Sequence, residues 1–170
     1  MKKLKFILVV FILKLLATAS ISAQSKIPNG ILGINFGSSP ATVKEIMAKK
    51  GHPQLHTNDE NSGLVYTPNS FAGNRCEAIV FRFTNKKMYE AMVFFSNKGY
   101  DTYARIYKEL AEKYGGGKTD THVGNALFLS IWKDEKNAIM LQLSTKSEVV
   151  LTYVNIALLD EYEKKSKSEY

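Results

Sequence analysis

The sequence predicts an α+β fold in which two tandem α-β-β-β units form one antiparallel sheet, with both helices on one face. The first observation is a repeat: residues 78–84 (AIVFRFT) match residues 138–144 (AIMLQLS), about 60 positions later. Upstream, residues 44–46 (KEI) followed by Gly51 recur as residues 108–110 (KEL) followed by Gly115. Each copy runs helix first, and short turns join the strands that follow, which favours antiparallel pairing. We therefore predict one domain over residues 24–160, with the repeat at about 37–97 and 100–157.

The N-terminus has the layout of a secretory signal peptide. The basic residues Lys2, Lys3 and Lys5 are followed by an apolar run at 6–13 and by mostly small residues at 17–23. Lys14 interrupts the run, and a spanning helix needs roughly 20 mostly apolar residues, so we predict a cleaved signal at 1–23 and no stable membrane anchor. A bacterial lipid anchor is excluded because the single cysteine, Cys76, is far from the cleavage site. The mature chain is expected in the periplasm or outside the cell.

Export removes much of the apparent basicity. The signal carries four of the 23 basic residues and no acidic one, which leaves 19 against 16 acidic residues and a net charge of +3. No concentrated basic face stands out, so nucleic acid is not an expected partner. Residues 161–170 mix both charges and are predicted to be a frayed polar tail. An unpaired Cys76 is expected to be partly buried in a strand, or else to pair between molecules.

A short strand is predicted at 31–36, before the first unit. Ser39 as N-cap and Pro40 at the first helical position predict the helix start, and Gly51 predicts its end. The polar residues 52–62 indicate a loop, with a short strand at 64–67 after it. Turn residues indicate a loop at 68–75, and apolar runs predict strands at 76–85 and 88–96.

The second unit is predicted to start its helix at Asp101 as N-cap. Its apolar residues recur at helical spacing, at Tyr103, Ile106, Tyr107, Leu110 and Tyr114. The run of glycines 115–117 ends this helix. Strands are expected at 126–133, 137–144 and 148–157.

No motif in the chain predicts catalysis. Residues 115–119 (GGGKT) resemble a phosphate loop, but Glu112 occupies the position of its first glycine, and the run follows a helix instead of joining a strand to one. His52 and His56 have zinc-like spacing only on a helix, and Pro53 lies between them. No serine has the surroundings of a hydrolase nucleophile. We therefore expect no enzyme activity, no cofactor and no metal.

The sheet face away from the helices is the better candidate for function. In strand 78–84, Ile79, Phe81 and Phe83 are uniformly large and are expected to pack under the helices. In strand 126–133, Leu127, Leu129 and Ile131 are assigned to the core for the same reason. The residues left on the open face belong to types common in protein interfaces: Arg82, Met92, Phe128, Trp132, Met140 and Gln142.

These residues predict an exported binding module that engages a protein partner, with Trp132 as anchor and Arg82 as polar contact. Exposed apolar patches of this kind usually have a role. The alternatives are a homodimer through the same face, or an internal cover formed by the N-terminal segment or the C-terminal tail. A further alternative is a carrier of a lipid or peptide, held between the sheet face and loops 52–62 and 68–75.

The predicted layout resembles the β-lactamase-inhibitor-protein-like fold, in which two helix-then-sheet units share one antiparallel sheet. The opening of the mature chain is also similar to the motif of the SmpA/OmlA (BamE-like) outer-membrane assembly lipoproteins. There a glycine, a turn, an amphipathic helix and a Gly-x-Pro follow in order, as in residues 37–39, Val43, Ile46 and 51–53 of this chain. Both groups bind other proteins through non-catalytic surfaces, and the resemblance implies such a role.

Overall fold

The computed structural model describes residues 26–52, 54–58 and 63–168. The predicted signal peptide, 1–23, lies outside these residues. Three helices and eleven strands are described. The helices are α1 (Pro40–Lys49), α2 (Tyr100–Tyr114) and α3 (Ile156–Ser168). The strands are β1 (Gly30–Ile31), β2 (Ile34–Asn35), β3 (Gln54–Asn58), β4 (Gly63–Tyr66), β5 (Ser70–Phe71), β6 (Asn74–Thr84), β7 (Lys87–Phe95), β8 (Lys118–Val123), β9 (Ala126–Lys133), β10 (Asn137–Ser144) and β11 (Val149–Asn155).

One nine-stranded antiparallel sheet dominates the fold and confirms the α+β class. Its order is β3-β4-β6-β7-β11-β10-β9-β8, with β5 pairing to β6 beside this path. The turn between β6 and β7 is tight because Asn85 and Lys86 adopt left-handed backbone angles, φ 47° and 61°. Such turns match the twist of a hairpin. The segments that repeat in sequence occupy β6 and β10.

The main core lies between one face of the sheet and helices α1 and α2. It includes Val43 and Met47 of α1, Ile106 of α2, and Phe81 and Leu141 from the sheet. Residues at alternate positions of a strand share a face, so this core fixes which face of each strand is covered. The other face of the sheet is called the open face below.

Helix α1 begins and ends where the sequence predicts. The Ser39 side chain accepts a hydrogen bond from the Thr42 N–H at 3.2 Å, and Pro40 is the first helical residue. Gly51 follows the helix with φ 71°. The prediction for α2 is wrong at its start, because the helix begins at Tyr100 after Gly99, and Asp101 is inside its first turn.

Four elements lie where loops or frayed chain were predicted. Strand β5 falls within the predicted loop 68–75. Strand β3 falls within the predicted loop 52–62 and pairs with β4. Strand β8 follows the glycine run 115–117 and forms the opposite edge of the sheet. Helix α3 continues to Ser168, so the prediction of a frayed tail at 161–170 is wrong as far as that residue.

The N-terminal strand predicted at 31–36 is instead a small hairpin of β1 and β2, separate from the main sheet. Leu32 and Gly33 form its turn with φ 55° and 78°. Ile31 and Ile34 belong to the main core, so the hairpin covers part of the helix-side face. Among the described residues, no helix has the length and apolarity needed to cross a membrane.

Candidate functional site

The open face carries two neighbouring rows of mostly apolar side chains that cross the sheet from strand to strand. Cross-strand partners share a face, so the strand registers define each row. The first row consists of Val65, Val80, Met92, Thr152, Met140 and Ile131. The second row consists of Ala78, Phe94, Val150, Gln142 and Leu129. All eleven are half-buried. None of the helices described for residues 26–168 packs over these two rows, and we call them the uncovered strip.

A third row lies beside the first, and α3 covers it except at its exposed end, Lys133. Its members are Arg82, Glu90, Val154, Ala138 and Lys133. Leu158, Leu159 and Tyr162 of α3 pack against this region, where Tyr89, Ala138 and Val154 are buried. The C-terminal segment therefore covers part of the open face, as one of the alternatives from sequence expected. The uncovered strip remains.

Arg82 is part of the attachment of α3. Its guanidinium donates to the Glu90 carboxylate at 3.1 Å. Its Cζ lies 6.0 Å from the Tyr89 ring centroid and 5.7 Å from that of Tyr162, and these two rings stack at 5.0 Å. The side-chain amide of Asn85 also donates to the carboxylate of Glu161 on α3. Arg82 is therefore engaged within the chain.

Four of the six residues predicted for the site lie on the open face, and two do not. Met92, Met140 and Gln142 belong to the uncovered strip, and Arg82 lies in the row under α3. Phe128 and Trp132 lie on the opposite face, against α2, so their assignment to the open face is wrong. Trp132 is only 4% exposed.

Contacts with α2 explain the reversed orientation of β9. Trp132 Nε1 donates to the Gly115 carbonyl at 2.6 Å, and its ring centroid lies 5.4 Å from that of Tyr107. The Phe128 ring lies 5.6 Å from that of Tyr103 and 5.5 Å from that of Tyr100. Large aromatic rings fill the space under the helix, so the aliphatic side chains of β9 face the other way.

A buried serine lies between the two aromatic residues. Ser130 is fully buried, and its hydroxyl is within hydrogen-bonding distance of the Tyr103 hydroxyl (2.6 Å) and the Thr119 hydroxyl (2.7 Å). These contacts offset the cost of burying a polar group. Leu129 and Ile131, which the sequence pattern assigns to the core, consequently join the uncovered strip. A polar partner on the facing helix, here Tyr103, is the signal that could have revealed the orientation.

The described residues show no cluster that would hold a metal ion, and the cysteine among them is buried. Across 26–52, 54–58 and 63–168, His, Cys, Asp and Glu side chains nowhere gather in the groups of three that would hold a metal ion. The Cys76 thiol is buried and donates to the Ala78 carbonyl at 3.3 Å. Burial raises the pKa of this thiol to about 11, with a smaller contribution from the nearby Glu77 charge.

We expect Cys76 to resist alkylation in the folded protein. At pH 8 a thiol with a pKa of about 11 holds its proton, and the thiolate is the reactive form. Labelling with a maleimide should therefore be slow in buffer and complete in denaturant, as measured by intact mass. Equal labelling rates in the two conditions would show that the thiol is accessible and reactive.

Residues 32–165 match the family model described as the TP0088 domain. The match covers both helices of the main core and the whole nine-stranded sheet. No curated protein and no solved structure matches the chain.

Proposed function

The chain belongs to the TP0088 domain family, and we propose that it is an exported, non-catalytic module that binds a protein partner on the uncovered strip. The observation that carries this proposal is the composition of the strip. Nine of its eleven members are half-buried Val, Met, Phe, Ile, Leu or Ala side chains, and none of the eleven is charged. The apolar members are Val65, Val80, Met92, Ile131, Met140, Ala78, Phe94, Val150 and Leu129, and the polar members are Thr152 and Gln142.

The packing of α3 supports a particular kind of partner, an amphipathic helix lying beside α3. Leu158, Leu159 and Tyr162 already pack on the adjoining row through apolar contacts. Neighbouring rows of a strand surface are roughly 6–7 Å apart, and a helix with its side chains is about 10 Å wide. One further helix therefore matches the width of the strip.

Charge at the edge of the strip is locally balanced. Lys118 and Asp120 of β8 pair with Ile131 and Leu129, and their charged atoms lie 3.6 Å apart. An apolar helix face is therefore a better match for the strip than a strongly charged one, because isolated charges lose hydration on burial.

Export is proposed from residues 1–23, which have the layout of a signal peptide. A lone buried cysteine suits an oxidising compartment, because a buried thiol is protected from pairing. The mature chain is accordingly proposed to work in the periplasm or outside the cell, without a stable membrane anchor.

We also propose that the domain is a duplication. The strand order reads β3-β4-β6-β7 and then β11-β10-β9-β8, which is symmetric about the junction of β7 and β11. The repeated segments, in β6 and β10, take equivalent places in this order. Buried side chains of α1 and α2 belong to one core cluster, which supports the placement of both helices on one face. The arrangement also supports the resemblance to the β-lactamase-inhibitor-protein-like fold.

The test of partner binding replaces Ile131 by lysine. We expect Ile131→Lys to reduce capture of the partner from the native envelope or secreted fraction at least about tenfold, because the interface would have to bury an unpaired ammonium. Capture by immobilised mature protein is measured by quantitative mass spectrometry. Val123→Lys is the matched control, since Val123 is also apolar and is 46% exposed, at the end of β8 away from the strip.

Circular dichroism and the melting temperature of both variants show whether each is folded. Equal capture by Ile131→Lys and Val123→Lys would contradict the proposal. A photo-crosslinker placed at Gln142 then identifies the bound segment, which we expect to be helical.

Self-association and ligand carriage are the competing functions. Sedimentation of the mature protein distinguishes the first: a dimer that dissociates in Ile131→Lys would assign the strip to a homodimer. Native mass spectrometry distinguishes the second, because a lipid or peptide on the strip would co-purify with the wild type and be lost from Ile131→Lys.

A further inference from the structure

A second candidate site lies on the opposite side of the sheet, where the N-terminal hairpin covers the central strand β11. A cavity of about 360 Å³ lies there between residues 28–35, Phe71 and the end of α2. Its remaining lining residues are Lys113, Tyr114 and Tyr153. The volume is near the lower end of the range for small-molecule sites.

Two buried tyrosines give the cavity unused hydrogen-bonding groups. Tyr153 is 8% exposed and Tyr114 is 9% exposed. Within the described part of the chain, no hydrogen bond engages either hydroxyl. Burial, and to a lesser extent the proximity of Tyr114, raises the pKa of Tyr153, so this phenol stays protonated at physiological pH. A hydroxyl that lines a cavity and has no partner in the protein is free to donate to an acceptor bound there, and hydrogen bonds to charged acceptors are the stronger ones.

The charge of the cavity wall favours an anion. Lys113 contributes an ammonium group, whose Nζ lies 5.2 Å from the centroid of the Tyr114 ring. The other lining residues include no aspartate or glutamate. An ammonium beside two phenol donors is suited to a carboxylate, because hydrogen bonds to a charged acceptor are the stronger ones.

The rest of the wall is suited to a flat apolar group. The Phe71 ring meets the Tyr153 ring edge-on with centroids 6.3 Å apart. Aromatic rings pack well in such edge-to-face arrangements.

The hairpin over the cavity has a defined backbone. At Gly30, with φ 145°, an added Cβ would lie 1.9 Å from the Ile34 carbonyl oxygen. Only glycine allows the two hairpin strands to approach this closely. Gly30 therefore fixes the backbone conformation of the hairpin, and the hairpin forms one wall of the cavity.

From these groups we propose that the cavity binds a small aromatic carboxylate, held by the Tyr114 and Tyr153 hydroxyls and by Lys113, with its ring against Phe71. This site is separate from the uncovered strip, which lies on the other face of the sheet. Its occupancy does not depend on the proposed protein partner.

The test titrates ¹⁵N-labelled mature protein with benzoate and, separately, with benzamide, its neutral counterpart. We expect saturable benzoate binding at millimolar concentration, with shifts of the amide signals of the hairpin and of Phe71. Benzamide should bind at least about fivefold more weakly, since it lacks the charge that pairs with Lys113. Absence of saturable benzoate binding, equal binding of the two probes, or shifts confined to the uncovered strip would each overturn the proposal.

Tyr153→Phe removes the hydroxyl and keeps the ring. We expect it to weaken benzoate binding about tenfold, as for loss of a hydrogen bond to a charged group. Tyr66→Phe is the control, because it removes the hydroxyl of another buried tyrosine, which has no partner among the described residues and does not line the cavity. Equal benzoate affinity in these two variants would overturn the assignment of Tyr153. Their melting temperatures show that both remain folded.

Discussion

Replacing Trp132 by alanine is expected to lower the free energy of unfolding by about 3–5 kcal/mol, the range for loss of a large buried aromatic side chain. The ring is 4% exposed and packs against Tyr107 under α2. Its removal would also leave the Gly115 carbonyl without the indole N–H that donates to it at 2.6 Å. Urea denaturation followed by circular dichroism measures the effect.

Phe94→Ala is the appropriate comparison for this substitution. Phe94 is a half-buried aromatic residue of the uncovered strip, so its truncation removes less buried surface and leaves no internal cavity under a helix. We expect a clearly smaller loss of stability than for Trp132→Ala. The reverse order would mean that Trp132 is a surface residue after all, as its assignment to the open face implied.

The second large effect is expected at Gly117. A Cβ built on this residue would lie 2.6 Å from Trp132 Cε2 and 2.8 Å from Trp132 Cζ2. The indole is held between α2 and the sheet and cannot move away without losing its packing. Gly117→Ala should therefore lower the free energy of unfolding by about 1–3 kcal/mol, as overpacking commonly does.

Gly116 provides the control for Gly117. An added Cβ there meets no atom within 4 Å. Gly116→Ala is expected to leave stability unchanged or to raise it by about 0.4–1 kcal/mol, since it restricts the unfolded chain. Both variants are compared by denaturation in urea. If they are equally stable, the close approach of Gly117 to Trp132 does not constrain the fold.

The sequence was most informative where local signals and burial agreed. Strands β9 and β10 have the bounds that their apolar runs predict, 126–133 and 137–144. The cap of α1 was also predictable, because Ser39, Pro40 and Gly51 each have a specific role at a helix end. In each of these segments, several independent sequence signals predicted the same element.

The orientation of β9 could not be predicted from its own residues. Both faces of this strand are apolar enough to pack, and the choice depends on α2 supplying Tyr103 and Tyr107 opposite Ser130 and Trp132. The residues that decide the orientation of β9 therefore belong to α2. The same limit explains why two residues of the predicted site, Phe128 and Trp132, are in the core.

Edge elements were missed for a different reason. Strand β8 is polar and almost wholly exposed, so it lacks the alternation that marks a half-buried strand. It is a strand because β9 offers it a hydrogen-bonding edge. Helix α3 has no fully buried residue, and its charged sequence gives little indication that it packs on the sheet.

The central pairing of β7 with β11 has a consequence for how the chain folds. Phe94 pairs with Val150, so the middle of the sheet joins segments that are distant in sequence. Such long-range pairing is slow, because much chain entropy is lost before the contact forms. Until β11 arrives, β7 is an unpaired edge with apolar side chains, and edges of this kind promote aggregation. We therefore expect truncation before residue 149 to yield an aggregation-prone product instead of a stable half domain.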